Sequence, residues 1–143
     1  SGGNNMVTLL IGKKGTGKTK KLIALANEAV AASAGNVVVI EKGAKLTYDV
    51  THKARLIDTE QYLIEGYDTL FGFISGICAG NYDVTDILVD STFKICPTGV
   101  DGVETFTKKL QELSEASSTN IVLLISAEES ELPESINAVC QKV

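Results

Sequence analysis

One stretch constrains this chain more than any other, because residues 12–19 fit the pattern G-x-x-x-x-G-K-[ST] at every fixed position. Glycines at this spacing let successive backbone N–H groups curl toward one anion, and a helix that begins here directs its positive end to the same point. The pattern is the phosphate-binding P-loop. It predicts nucleotide-binding residues in and directly after the loop: Gly12, Lys13, Lys14, Gly15, Thr16, Gly17, Lys18, Thr19 and Lys20.

Two side chains of the motif have chemistry of their own. Lys18 places a point charge on the β- and γ-phosphates and is a candidate catalytic residue, and the Thr19 hydroxyl is a candidate Mg²⁺ ligand. The flanks fit the motif, since residues 6–11 form a short apolar run and residues 18–32 have apolar side chains at helical spacing. They predict a buried strand before the loop and a helix after it, with Gly35 as the stop signal.

Further strands and helices alternate along the chain. Apolar runs and helical spacing predict strands at 36–41, 55–58, 85–90 and 121–126, and helices at 67–80 and 100–117. Gly72 and Gly76 in the first of these helices are expected to allow close packing. Between strands, residues 42–53 are polar, and a short edge strand through Leu46, Tyr48 and Val50 is an alternative to a loop there. The tail from residue 133 fits a short helix or a strand.

This alternation in 143 residues predicts one α/β domain over 6–143, after a disordered leader or a remnant of cloning at 1–5. The expected architecture is a three-layer α/β/α P-loop NTPase fold with a mainly parallel five-stranded sheet. The expected strand order is 55–58, 36–41, 85–90, 121–126, 7–11, with right-handed crossovers. Only the tail remains to cover the P-loop strand, which makes self-association plausible at that edge.

A second motif is the apolar strand Ile87-Leu88-Val89 that ends in Asp90, the Walker B pattern. A carboxylate at the carboxyl end of a buried strand lies on the edge where parallel sheets bind ligands. There Asp90 can hold Mg²⁺ opposite Thr19, so these two residues are the predicted metal ligands. The alternative is that Asp90 only caps the end of its strand.

With both motifs the chain resembles the RecA-like group of P-loop ATPases over about residues 6–126. The P-loop helix is followed by a strand that ends in an acid, Val39-Ile40-Glu41, and then by a strand that ends in Val89-Asp90-Ser91. The resemblance implies that Glu41 polarises the attacking water as a catalytic base, that Asp90 serves Mg²⁺, and that Ser126 senses the γ-phosphate. The alternative for Glu41 is an exposed carboxylate at the end of a strand, and for Ser126 it is no role at the site.

Two narrower resemblances add little chemistry. The chain is similar to small bacterial P-loop proteins labelled ATP-binding or twitching-motility (PilT-like), which implies no reaction or substrate. Lys13 stands where MinD/ParA-type ATPases have a second lysine that reaches across a dimer to the phosphates of the partner. Lys14 replaces a glycine of that pattern, so the alternative is that Lys13 is a solvated loop lysine.

Composition narrows the function classes. The formal net charge of −5 argues against nucleic acid and anionic membranes as partners. Three scattered cysteines without metal-ligand spacing predict free thiols in a reducing cytoplasm, and no segment fits a signal peptide or a membrane span. No N-K-x-D follows a strand, so ATP is expected rather than GTP. His52, without a His or Cys partner in the sequence, is expected on the surface.

Two functions remain open at this point. The first is a slow Mg²⁺-dependent ATPase, and the second is a nucleotide-binding regulatory module that does not hydrolyse ATP and signals to a protein partner. Arg55 is the only arginine, so an arginine finger must be Arg55 or come from another protein. The acidic segment 128–134 is either a solvated surface or a site for a basic partner.

Overall fold

The computed structural model describes residues 6–47 and 49–143, so the predicted leader at 1–5 and Tyr48 of the predicted edge strand lie outside the described residues. Six β-strands and four α-helices form in the described part of the chain. In chain order they are β1 (Val7–Ile11), α1 (Lys18–Ala32), β2 (Asn36–Glu41), β3 (Arg55–Asp58), α2 (Tyr67–Gly80), β4 (Val84–Val89), α3 (Thr92–Ile95), α4 (Val103–Ser117), β5 (Asn120–Ile125) and β6 (Cys140–Lys142).

The strands form one sheet in the order β3-β2-β4-β5-β1-β6, with every neighbouring pair parallel. The first five positions are those predicted, and the predicted fold class is confirmed. The sheet has six strands rather than five, because the tail forms a 3-10 helix at Glu134–Val139 and then β6 beside β1. The P-loop strand is therefore covered within this chain, which removes the reason to expect self-association at β1.

Helices cover both faces of the sheet because successive residues of a strand point to opposite sides. On one face Val39, Leu88 and Leu124 pack with Leu22 of α1, and the loop after β2 adds to this cluster. On the other face the inward residues of the same strands pack against α2 and α4. None of the helices in the described ranges is long and apolar enough to cross a bilayer.

Two local predictions were incomplete. The helix predicted at 100–117 begins at Val103, because Gly102 precedes it with a φ of 102°, a backbone conformation outside a right-handed helix. The short α3, which begins two residues after Asp90, was not predicted, since its four residues are too few to show a helical period. Its presence matters for the site because it sets the backbone direction immediately beyond β4.

The segment between β2 and β3 forms turns, and no strand is found at 42–47 or 49–54. Leu46, Val50 and Ala54 are nevertheless buried against the face of the sheet that α1 covers. Asn27 of α1 holds this segment by donating to the carbonyl of Asp49 and accepting from the amide of Thr51. The apolar residues that suggested an edge strand therefore anchor a folded loop, called here the β2–β3 loop.

The expectation that Gly72 and Gly76 allow close packing was wrong. A Cβ atom added at either position would meet nothing within 4 Å, and both residues are exposed on α2. Close approach occurs instead at Gly35, where an added Cβ would lie 2.0 Å from the carbonyl oxygen of Asp83. The glycine that the packing requires lies in the turn before β2.

These positions give a matched pair of substitutions. Gly35→Ala should lower the free energy of unfolding by about 1–3 kcal/mol, because the new methyl group overlaps backbone that cannot move freely. Gly72→Ala should raise it by about 0.5–1 kcal/mol, because alanine loses less backbone entropy in a helix and meets no neighbour. Urea unfolding of both variants measures the difference, and equal stabilities would contradict the packing described here.

Candidate functional site

The P-loop connects β1 to α1, and its conformation depends on its glycines. Gly15 and Gly17 each have a φ of 87°, which residues with a side chain rarely adopt. Gly12 matters for a different reason, since a Cβ there would lie 2.6 Å from the Thr16 hydroxyl and would displace it. Larger residues at these positions would change the loop, so the spacing seen in the sequence has a direct structural cause.

The carbonyl oxygen of Lys13 is the centre of the loop's hydrogen bonding. It accepts from the Thr16 amide at 3.3 Å, from the Thr16 hydroxyl at 2.8 Å and from the Lys18 ammonium at 2.7 Å. Lys18 is buried, and burial lowers its pKa, while the negative charge of Asp90 opposes that shift. The Lys18 ammonium is therefore held over the loop, close to the backbone amides that are expected to bind phosphate.

The structure brings together the two predicted Mg²⁺ ligands, which are 71 residues apart in the chain. The Thr19 hydroxyl donates to Asp90 Oδ1 at 3.4 Å, and Asp90 is almost fully buried at the end of β4. A hydroxyl and a carboxylate oxygen suit Mg²⁺, which usually takes only one or two protein carboxylates and completes its shell with phosphate oxygens and waters. No cluster of three or more His, Cys, Asp or Glu that could hold a metal occurs in residues 6–47 and 49–143.

Glu41 lies on the same edge of the sheet as Asp90. Ile40 pairs with Val89 in the parallel register, so the next residues, Glu41 and Asp90, are neighbours at the carboxyl ends of β2 and β4. By the alternation of the strands both side chains are on the face that α1 covers, which is the face of the P-loop. The position fits the role implied by the RecA-like resemblance, and that role stays a prediction.

The surroundings of Glu41 differ from the exposed strand end considered as the alternative. Its side chain is buried, and its two oxygens accept from the amides of Lys45 and Leu46, each at 3.1 Å. Burial raises its pKa, the two amides oppose the shift, and the charges of Asp90 and Asp58 add to it. Glu41 thus anchors the β2–β3 loop, an arrangement with no local signal in the sequence.

The remaining predicted residues lie around the loop. Lys13, Lys14 and Lys20 are exposed, and the Lys13 ammonium is 3.7 Å from a carboxylate oxygen of Glu128. Ser126 is exposed directly after β5, at the same edge of the sheet. The roles of Lys13 and Ser126 at the phosphate site stay predictions.

Arg55 lies away from this edge. It is the first residue of β3 and pairs with Val38, which places it about three residues of extended chain, or roughly 10 Å, before the carboxyl ends of the strands. Its guanidinium donates to the Tyr62 hydroxyl at 3.5 Å. An arginine finger supplied by Arg55 of the same chain does not fit this geometry.

A cleft of about 440 Å³ opens beside the P-loop, a size within the range of small-molecule sites. Its lining residues come from the P-loop, from the turn after β5 and from the C-terminal segment: Ile11, Gly12, Lys13, Thr16, Glu128, Glu129, Ser130, Lys142 and Val143. Ser130 and Lys142 were not predicted as site residues, because no motif marks the turn after β5 or the short β6, which the sheet places on either side of β1.

Part of the acidic segment 128–134 has a structural role. Glu128 and Glu131 form a capping box around a short 3-10 helix, in which the Glu131 side chain accepts from the Glu128 amide at 2.9 Å. Glu128 also faces Lys13 across the mouth of the cleft. These contacts within the chain account for Glu128 and Glu131, and neither side chain needs a second, basic protein to explain its position.

The comparisons with known proteins support the fold alone. No protein-family model matches the sequence, and no curated protein matches it. A solved structure of C. elegans PCH-2 is similar, with a TM-score of 0.58 and 16% sequence identity over 99% of this chain. The chain spans about 35% of that protein's length. Similarity at this level agrees with the α/β P-loop NTPase fold class and carries no function.

The anchoring role of Glu41 can be measured. Glu41→Ala should lower the free energy of unfolding by about 2 kcal/mol, because it leaves two amides of the β2–β3 loop without their acceptor. Glu28→Ala on the exposed side of α1 is the control and should stay within about 0.5 kcal/mol of wild type. Chemical denaturation gives both values, and a Glu41→Ala protein as stable as the control would contradict the anchoring role.

Proposed function

We propose that this chain is an ATP-binding P-loop protein of the RecA-like type and a slow Mg²⁺-dependent ATPase. The observation that supports this most directly is the approach of Thr19 to Asp90 beside a complete P-loop. The two motifs are far apart in the sequence, and a chance match in either would not place a hydroxyl and a buried carboxylate together at a helix N-terminus.

In this proposal the loop binds the phosphates through its backbone N–H groups, and the buried Lys18 ammonium stabilises charge on the γ-phosphate. Lys18 then exchanges its bond to the Lys13 carbonyl for one to a phosphate oxygen, which is stronger because both partners are charged. Mg²⁺ held by Thr19 and Asp90 would neutralise part of the triphosphate charge. In this proposal the nucleoside binds in the cleft beside Lys13 and Ser130.

Glu41 is the proposed base. A carboxylate with a raised pKa accepts a proton more readily than an ordinary one, and burial supplies that shift here. Water attacks the γ-phosphorus, the bond to the β–γ bridging oxygen breaks, and Glu41 takes the proton, which leaves ADP and phosphate. Both Glu41 oxygens already accept from amides of the β2–β3 loop, and these bonds lower the proton affinity of the carboxylate, which is a physical reason for slow turnover.

A second function is favoured by the same contacts. Both oxygens of Glu41 are engaged by the loop, and Arg55 lies away from the phosphate edge. A chain that binds ATP without hydrolysing it would act as a regulatory module whose loop position signals nucleotide occupancy to a protein partner. The two functions share the binding site and differ only in turnover.

Nucleotide binding is tested first. Lys18→Ala should weaken ATP binding in the presence of Mg²⁺ by about 10- to 100-fold, because it removes a charge-assisted contact of about 1.5–3 kcal/mol. Lys53→Ala removes an exposed lysine before β3, at the other edge of the sheet, and should leave the affinity unchanged. Isothermal titration calorimetry on both variants and wild type provides the comparison.

Competition in the same assay tests the choice of nucleotide. ADP should compete well with ATP, and GTP should show no preference over ATP, since no guanine-recognition motif occurs in the sequence. Folded wild-type protein that binds neither adenine nor guanine nucleotides would overturn the proposal.

Turnover separates the two functions. Glu41→Gln should keep nucleotide binding and lower the rate of phosphate release by on the order of a hundredfold, the usual size of a general-base effect. Asp90→Asn should instead weaken Mg²⁺-dependent binding and turnover together, because it acts on the metal ligand. Phosphate release and calorimetry are measured on the same preparations.

The outcomes are distinct. A Glu41→Gln protein that hydrolyses ATP as fast as wild type would show that Glu41 is only a loop anchor. Wild type that binds ATP and releases no phosphate would favour the regulatory module. Loss of stability in Glu41→Gln is checked by unfolding, so that a fall in rate is not mistaken for unfolding of the site.

A further inference from the structure

Ser91, the residue after Asp90, has a backbone conformation that needs an explanation. Its φ and ψ are 53° and 49°, in the left-handed region that residues with a side chain rarely adopt. Leu63 and Ser118 are the other non-glycine residues with positive φ in the described chain. Both follow the end of a helix, where a left-handed residue is a common way to stop it.

Ser91 is at the opposite kind of position, because it directly precedes α3. Residues there usually have an extended backbone and use a side-chain oxygen to cap the helix. Ser91 has neither feature, since its backbone is left-handed and its side chain makes no capping bond. Helix capping therefore does not account for the unfavourable conformation.

The Ser91 hydroxyl is directed to Asp90 instead. It donates to Asp90 Oδ2 at 3.0 Å, while Thr19 donates to Oδ1 at 3.4 Å. The Asp90 backbone is held as well, since its amide donates to the carbonyl of Ile40 at 2.8 Å. Each carboxylate oxygen of Asp90 thus accepts from a different hydroxyl. The bond from Ser91 to Oδ2 limits the rotation of the carboxylate and so keeps Oδ1 directed at Thr19.

We propose that Ser91 is a positioning residue, which holds Oδ2 of Asp90 so that Oδ1 faces Thr19; Asp90 and Thr19 are the two residues that would hold the Mg²⁺ of a bound nucleoside triphosphate. This inference rests on the proposed function, and it assigns a role to Ser91, for which the sequence patterns implied none. Strained backbone is retained where the surrounding structure needs it, and here it delivers the hydroxyl to the carboxylate. Groups that orient a metal ligand usually change metal affinity by 10- to 100-fold when they are removed.

Two substitutions separate the effect of the Ser91 hydroxyl from the effect of its strained backbone. Ser91→Gly removes the hydroxyl and also relieves the left-handed strain, so the variant should unfold at the same temperature as wild type or higher. Ser91→Ala removes the hydroxyl and keeps the strain. Ser118→Gly is the matched control, because Ser118 has the same φ of 53° but lies at the end of α4, at the opposite edge of the sheet.

The experiment measures ATP affinity by calorimetry, once with EDTA and once across a range of Mg²⁺ concentrations, with thermal unfolding of each variant alongside. Both Ser91 variants should bind ATP with the wild-type affinity in EDTA. The Mg²⁺ concentration that gives half of the maximal increase in ATP affinity should be at least about tenfold higher than for wild type. Ser118→Gly should gain stability and keep the wild-type Mg²⁺ requirement.

A merely structural role for Ser91 would lower stability and leave the Mg²⁺ requirement unchanged, and that result would overturn the inference. Unchanged Mg²⁺ dependence in both Ser91 variants, with wild type binding MgATP, would refute the positioning role and leave the proposed function intact. Wild type that binds no ATP under either condition would refute the proposed function itself, and the positioning role with it.

Discussion

Parallel pairing of the strands is the constraint on which the candidate site depends. Because all neighbouring strands run in the same direction, the residues that follow β1, β2 and β4 meet at one edge of the sheet. The P-loop, Glu41 and Asp90 are brought together there, although they are distant in sequence. A single antiparallel strand among these three would move its polar end to the opposite edge and dismantle the arrangement.

Burial then determines what these polar groups can do. Lys18, Glu41 and Asp90 are all nearly inaccessible to solvent, and each has a specific partner: a carbonyl oxygen, two loop amides and two hydroxyls. Burial moves the pKa of Lys18 downward and that of Glu41 upward. The site therefore combines a lysine held over the loop with a carboxylate whose proton affinity is increased, and the bonds that satisfy Glu41 also tie it to the β2–β3 loop.

Local sequence determined the longer helices and the first five strands. The helical period predicted α1 at 18–32 and α2 at 67–80. Short apolar runs, β-branched at 36–41, predicted β2 and β3, because these signals arise between residues close together in the chain. The P-loop pattern has the same local character, since its glycines are required by φ angles and a close approach inside the loop. The predicted strand order followed from the fold class that the motif implies.

Only the tertiary structure decided how distant segments meet. Three residues at 140–142 pair with β1 and complete the sheet, although so short a segment has no periodicity to predict. Glu41 is buried because the β2–β3 loop folds over it, and Gly72 faces open space because none of the residues at 6–47 and 49–143 packs on that side of α2. Ser91 has a left-handed backbone where the chain passes from β4 to α3, and its hydroxyl donates to Asp90 there. Each of these outcomes depends on contacts between residues far apart or on the chain's path after a strand, for which neighbouring residues contain no signal.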